Sequence, residues 1–267
     1  VVDALDHIDH YTFVSSCSVY ADHSIVGADE ENELLTVEDP SVESLDSPDN
    51  YGGFKAMSEA ALDAALPGRC HHVRAGLIVG PHDPTGRFTY WVERLGRGGE
   101  ILAPEPQDQP VQFIDVGDLA AWILTAADNR VTGTLNATGP RAHTMATMLD
   151  QIERVVDGGG RLTWVAEDFL VDHEIEHWTD LPMWLPPGAL PTHVGFQSRS
   201  SARAEAAGLR TRPLAETVAR TVHWLGDRGP VQAPSTNTGL DRPPVGLDPE
   251  RERRLLQEWA QRPPVTI

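Results

Sequence analysis

Short apolar runs alternate with helical stretches along most of this chain, and that alternation limits the folds open to it. Tyr11 to Ser16 (YTFVSS) is aromatic and β-branched and ends in small polar residues, as a buried strand does. Residues 51–66 have helical spacing, with Asp49 and Asn50 as cap candidates and Pro67-Gly68 as the stop. The pattern continues with a strand over 70–79, a short helix over 87–95, a strand over 111–116 and a helix over 118–127. A strand over 133–137, a helix over 145–156, a strand over 161–165 and helices over 200–207 and 214–225 follow. Strands separated by helices are joined by crossovers, so the expected fold is α/β with a largely parallel sheet. Gly229 to Asp248 is rich in Pro, Gly, Ser, Thr and Asn and reads as a linker before a short charged helix over 249–261.

Composition narrows the partners. The chain has 267 residues, 40% of them hydrophobic, with a mean hydropathy of −0.31. A buried core is therefore available to a water-soluble fold. No apolar run approaches the roughly 18 residues that cross a bilayer, and the opening VVDALDHIDH is charged where a signal peptide would be apolar. Two cysteines, Cys17 and Cys70, suit a reducing cytoplasm better than a disulfide scaffold. A net charge of −19 repels nucleic acid and anionic lipid, so neither a broad nucleic-acid surface nor a membrane surface is expected. Ten acids fall between Asp22 and Asp49 with no Lys or Arg among them. They read as a solvated loop, the alternative being a docking surface for a basic partner.

The chemistry centres on Tyr51-Gly-Gly-Phe-Lys55. Positions i and i+4 share a helix face, so phenol and ammonium converge. A free tyrosine, with a pKa near about 10, is a poor base at neutral pH, and a fixed cation beside it favours the phenolate. The motif gains weight from composition. Lys55 is the sole lysine among 21 basic residues, and a lysine placed at random would follow one of the 4 tyrosines by four residues at only 4 of 267 positions. A compact ammonium does what a planar guanidinium does not. The second element is Val14-Ser15-Ser16-Cys17-Ser18-Val19-Tyr20. Small hydroxyl residues at the carboxyl end of a parallel strand sit where such sheets bind ligands. The competing reading has these serines only satisfying loop backbone.

Strand, SSCSVY, loop, YGGFK with Glu59 four residues on, then VRAGLIVGP resembles the extended short-chain dehydrogenase/reductases of the NAD-dependent epimerase/dehydratase type. VQFIDVGDLA (Val111 to Ala120), TLNATG (Thr134 to Gly139) and the stretch from Ala206 to Leu225 extend the likeness, in order, over residues 1–226. The resemblance implies a Rossmann-type parallel sheet with a small α+β substrate domain. It divides the chain into a partial dinucleotide-binding domain (1–80 and 111–140), a substrate-binding part (81–110 and 141–227) and a linker and tail (228–267). It implies hydride transfer with NAD or NADP at an alcohol or ketone carbon of a small substrate, a sugar nucleotide being one candidate. Tyr51 then matches the acid/base, Lys55 the ribose-binding lysine and Ser16 the family's Ser/Thr. Val14, Ser15 and Arg74, Ala75, Gly76, Leu77 and Ile78 match the cofactor side, and Ser18, Arg87, Tyr90 and Gln112 the substrate side. A homodimer is compatible with it. One departure stands out: no G-x-x-G-x-x-G turn precedes Tyr11, so the fold is expected to lack its first βαβ unit and the loop that holds the cofactor pyrophosphate. A relative that keeps the motif but is catalytically silent is the alternative.

A rival constellation is His173-Glu174-Ile175-Glu176-His177, which matches the zinc-hydrolase pattern H-E-x-x-H if it is helical. Three prolines between Trp178 and Pro187 argue against a long active-site helix, and His173 and Trp178 fit a substrate lid or the surface better. Cys70-His71-His72 and the pair His7 and His10 match no closed metal site and are expected to be strand and helix-end residues. Asn136-Ala-Thr138 is a glycosylation sequon on an expected buried strand, and is discounted.

Overall fold

The chain lays down β1 (Tyr11–Ser16), α1 (Pro48–Ala65), β2 (Cys70–Ala75), β3 (Leu77–Val79), α2 (Arg87–Gly96), β4 (Glu100–Pro104), β5 (Phe113–Asp115), α3 (Val116–Asp128) and β6 (Gly133–Ala137). It continues with α4 (Met145–Val156), β7 (Arg161–Val165), α5 (Glu167–Asp172), α6 (Ala202–Ala206), α7 (Leu214–Arg228) and α8 (Pro249–Ala260). These come from a computed structural model that describes residues 7–37, 48–228 and 245–262. Contacts gather the chain into two units, Val1–Ile78 with Gln112–Ala142 and Thr192–Arg212, and Val79–Val111 with His143–Pro191 and Pro213–Ile267. Among the described residues no helix is long and apolar enough to cross a membrane.

The first unit is a parallel sheet of order β1-β2-β6, as strand–helix alternation requires. Tyr11 pairs with Cys70 and Ser16 with Ala75, while His71 pairs with Gly133 and Ala75 with Ala137. The middle strand, β2, is buried along its whole length although it reads CHHVRA. Its period of two explains how. Cys70, His72 and Arg74 face α1, where they meet Leu62, Asp63 and Glu59 in turn. His71, Val73 and Ala75 face α3, where His71 stacks edge-on to Trp122 at 5.3 Å and Val73 and Ala75 join a core with Leu119, Trp122 and Ala126.

Several expectations need adjusting. The strand over 70–79 is two, because Gly76 leaves β2: its N–H donates to the Ala137 carbonyl at 3.1 Å, and a Cβ there would press on Thr138. Helix α3 starts early, because Asp115 caps it by accepting from the Gly117 N–H at 2.7 Å. The acidic stretch is not simply solvated. Over its described part, the Glu30 side chain is buried, accepts the Asn136 N–H at 2.7 Å and pairs with Arg203, and Glu31 pairs with Arg203 at 2.6 Å. The remainder, through residue 47, lies outside the described residues.

In the second unit β4 pairs in parallel with β7, with α2, α4 and α7 packed together. Sequence periodicity missed β4: EILAP is too short to show a period. Helix α8 is no loose tail. Glu252 is buried, takes both contacts from Arg94 Nε at 3.0 and 2.8 Å, and accepts the Leu102 N–H at 3.0 Å. Most of the expected linker, 229–244, lies outside the described residues.

Burial holds the His71 imidazole down to about 4, with the neighbouring His10 and His72 adding to the effect. The folded state therefore takes up this proton only below the pH at which the unfolded chain does. Stability is complete above about pH 6.5 and declines as pH falls toward 4, by a few kcal/mol for a shift of this size, roughly 1.4 per unit. Urea unfolding of the native chain and of His71→Leu at pH 7 and pH 5 tests this: the difference between the two pH values should shrink in the variant.

Candidate active site

The site is built where β1 ends and α1 begins. At Ser16 the strand gives way to a short 3-10 turn, Cys17–Val19, and the Ser16 hydroxyl caps it. Ser16 Oγ accepts the Ser18 N–H at 3.1 Å and donates to Ser18 Oγ at 3.1 Å. So Ser16 and Ser18 are held together, and the loop-satisfying role weighed for these serines is present in the structure. Ser15 points the other way and is buried.

Helix α1 lies hard against that turn, and the two glycines of YGGFK make this approach feasible. A Cβ on Gly52 would fall on the carbonyl oxygen of Ser18, and one on Gly53 would come within 2.6 Å of Val37. The spacing Tyr51–Lys55 thus lies at the helix start, beside the strand end. Lys55 Nζ donates to the Val14 carbonyl at 2.9 Å, lies 4.8 Å from the centre of the Phe13 ring and 5.9 Å from that of Tyr51. Partial burial lowers the Lys55 pKa, opposed by the Glu59 carboxylate. Tyr51 is 37% exposed and Val14 43%, so this part of the site is open to solvent.

A buried polar network locks α1 to the sheet. Arg74 Nε and Nη2 donate to the Glu59 carboxylate at 3.1 and 2.7 Å, and Nη1 donates to the Tyr20 hydroxyl at 3.0 Å. Tyr20 in turn donates to Asn136 Oδ1 at 2.6 Å, and Cys17 Sγ donates to the Arg74 carbonyl at 3.2 Å. Burial pushes Tyr20 up to about 12, so it is a neutral donor and not a base. The Arg199 guanidinium covers its ring at 4.3 Å. Sequence reasoning noted Glu59 only as part of a pattern and missed Tyr20. The available signal was the i+4 step from Lys55 to Glu59, together with an arginine in a strand expected to be buried.

The other expected site residues divide. Ala75 is buried, and Gly76, Leu77 and Ile78 are half-buried along the strand break. The side chains of Arg74 and Gln112 turn inward. The Arg74 side chain is spent inside the network. Gln112 is buried, donates to the Gly139 and Arg199 carbonyls at 3.0 and 2.8 Å and accepts the Arg199 N–H at 2.9 Å, so it braces two loops. Within the second unit, Tyr90 is also buried, pressed against Gly246 and edge-on to Trp91, and its pKa is raised by that burial. It is a packing residue. Arg87 lies over the Trp178 ring at 4.7 Å.

The zinc pattern fails on geometry. Helix α5 stops at Asp172, and Glu174 takes a left-handed φ of 54°, so the two histidines are not one helical turn apart. His173 Nε2 instead meets Glu258 at 3.1 Å, and the His173 and Glu174 carbonyls accept from Arg251. His10 bonds the Val131 carbonyl at 2.7 Å. Asn136 of the sequon is buried, as expected.

The model of the NAD dependent epimerase/dehydratase family matches residues 1–137. Among solved structures, the chain is similar to the UDP-glucuronic acid 4-epimerase of Bacillus cereus in complex with NAD, with a TM-score of 0.57 at 14% identity over 85% of this chain and 65% of that one. The UDP-N-acetylglucosamine 4-epimerase of Methanobrevibacter ruminantium gives 0.57 at 16% identity, over 83% and 64%. RMD from Pseudomonas aeruginosa complexed with NADPH gives 0.53 at 14%, over 80% and 66%. The chain therefore spans just under two thirds of the length of these proteins. No curated protein matches it.

The buried pair yields a prediction. Removing one partner, as in Glu59→Ala, leaves an uncompensated buried charge and should cost about 3–5 kcal/mol, whereas Arg74→Met with Glu59→Leu should cost much less. Urea denaturation of the three chains decides it. Equal losses in the single and double variants would contradict the pairing.

Proposed function

The chain belongs to the NAD dependent epimerase/dehydratase family, and from that premise we propose that it serves hydride transfer at an alcohol or ketone carbon of a small substrate, with Tyr51 as the proton carrier. The observation that carries the reading is the fixed ammonium: Lys55 Nζ is anchored at the Val14 carbonyl, beside the Tyr51 ring, at the carboxyl end of a parallel strand. Three of the residues present suit the nicotinamide-ribose end of NAD or NADP. Lys55 offers an ammonium to ribose hydroxyls, Tyr51 an exposed phenol, and Ser16 a hydroxyl at the strand end. When bound, the cofactor supplies or accepts the hydride.

The chain's own part is to move and place a proton. The phenol oxygen of Tyr51, beside the Lys55 ammonium, takes the proton of a substrate alcohol or returns it to a carbonyl oxygen. Ser16 orients that oxygen by hydrogen bonding. Its hydroxyl hydrogen now goes to Ser18 Oγ, and on binding it donates to the substrate oxygen instead, while the bond accepted from the Ser18 N–H is kept. The exposed mouth beside Val14 and Tyr51 admits ligand, and the substrate class proposed is a sugar nucleotide.

Tyr51→Phe tests the assignment. Among a panel of UDP- and dTDP-sugars supplied with NAD or NADP, turnover should fall by roughly 10²-fold or more in the variant while folding is kept. Undiminished turnover in the variant removes Tyr51 from the mechanism, and a native protein that turns over none of the panel at cofactor concentrations high enough to offset weak binding points to the catalytically silent relative.

A second expectation concerns affinity. The 267 residues contain no G-x-x-G-x-x-G turn to offer backbone amides to a pyrophosphate, and the net charge of −19 repels an anionic ligand. NAD and NADP should bind this chain weakly. Calorimetric titration giving micromolar affinity for the monomeric chain would refute that account.

A further inference from the structure

The opposite end of the same strands gathers a second set of reactive side chains that hydride transfer does not use. Cys70 and His72, two apart on β2, both face α1, and α1 places Asp63 over them. Cys70 Sγ, a His72 ring nitrogen and an Asp63 carboxylate oxygen all lie within 4.8 Å of one another. The adjacent His71 takes no part, because it faces Trp122 on the other side of the sheet. Sequence spacing gave no closed site here, since the third donor comes from a helix that only the fold brings in.

We propose that Asp63, Cys70 and His72 bind one divalent cation of the zinc type, through thiolate, imidazole nitrogen and carboxylate, with water as fourth ligand. A sulfur, a nitrogen and an oxygen donor are the set that suits zinc and cobalt, and would not suit magnesium or calcium. Bond lengths of about 2.0–2.3 Å place tetrahedral ligands roughly 3–4 Å apart, close to the separations present. The one pair that is too close is the right one to move. His72 Nε2 and Asp63 Oδ1 share a hydrogen at 2.8 Å, and the metal replaces it.

The Asp63 side chain is 61% exposed and can swing outward, while Cys70 and His72 stay held in the strand. On binding, the imidazole hydrogen passes to Nδ1, the Cys70 thiol proton leaves to solvent, and one proton is released per metal. Cys70 gives up only two long contacts, to the Leu62 and Leu66 carbonyls at 3.5 and 3.7 Å. Burial and Asp63 raise its pKa against a lowering by Arg69, so the thiol is protonated without metal. His72 Nδ1 is buried with no hydrogen-bond partner among the described residues, which limits affinity, because ligating histidines are usually braced through that atom. The site rests on residues separate from Tyr51 and Lys55, so it stands or falls independently of the proposed reaction.

Titration of the reduced 267-residue chain with cobalt(II) tests it. The expected result is a near-ultraviolet thiolate-to-cobalt charge-transfer band that saturates at one equivalent, is displaced by zinc, is absent in Cys70→Ser and is retained in Cys17→Ser. Asp63→Asn, at the surface, keeps the fold and should weaken cobalt binding roughly tenfold or more, on the scale known for disturbed metal shells. A folded protein that gives no band with excess cobalt, a band that survives Cys70→Ser, or unchanged affinity in Asp63→Asn overturns the proposal.

Discussion

The ion pair between Arg74 and Glu59 is the interaction on which the rest of the first unit depends. Both groups are almost wholly buried, with side chains 4% and 5% exposed, and their nearest atoms are 2.7 Å apart. Taking two such charges from water costs several kcal/mol each, and the mutual attraction offsets this only if the remaining donors and acceptors are also met. Tyr20 and Asn136 meet them, which ties the turn after β1 and the end of β6 to the same centre. The pair is therefore a register pin as well as a contact. It sets which turn of α1 faces β2, and so where Tyr51 and Lys55 lie relative to the end of β1.

That pin works together with the glycines. Gly52 and Gly53 let α1 pack with its backbone against the Cys17–Val19 turn, a distance no larger residue permits. Close packing brings the ammonium of Lys55 onto the Val14 carbonyl, where its position no longer depends on a flexible four-carbon stem. Rigidity also explains the residues that turned inward. Gln112 and Tyr90 lie in segments that resemble ligand-facing loops, but each is enclosed in its own unit by backbone partners or by Gly246.

The two faces of β2 carry different burdens. Toward α3 the strand is an ordinary apolar surface, with His71 kept neutral by burial. Toward α1 it presents thiol, imidazole and guanidinium in steps of two, and α1 answers with Leu62, helped by Leu66 just past its end, then Asp63, then Glu59. The guanidinium step supports the carboxyl-end site through Glu59 and Lys55. The thiol and imidazole steps supply the cation site at the other end. One helix–strand interface thus serves both ends of the sheet, and a change that slides α1 along β2 would disturb both.

Local chemistry was legible in the sequence where period, composition and spacing carry it. The strand–helix alternation, the parallel sheet, the Tyr51–Lys55 spacing and the acidic balance are of this kind, because each depends on residues close in the chain. Boundaries were less legible: Gly76 breaks a run that looks continuous, and EILAP is too short to show a period, although it pairs fully with β7. Tertiary structure alone decided the rest. A zinc pattern of correct spelling loses its helix at Asp172, where Glu174 turns left-handed and Arg251 on α8 takes the carbonyls of His173 and Glu174. Glu30, one acid among ten in its stretch, became a buried partner of β6, and Asp63 came to lie over Cys70 and His72. The physical reason is the same in each case. Burial and partner choice depend on groups far apart in sequence, and a side chain's charge or donor becomes structural or reactive only when the fold selects what faces it.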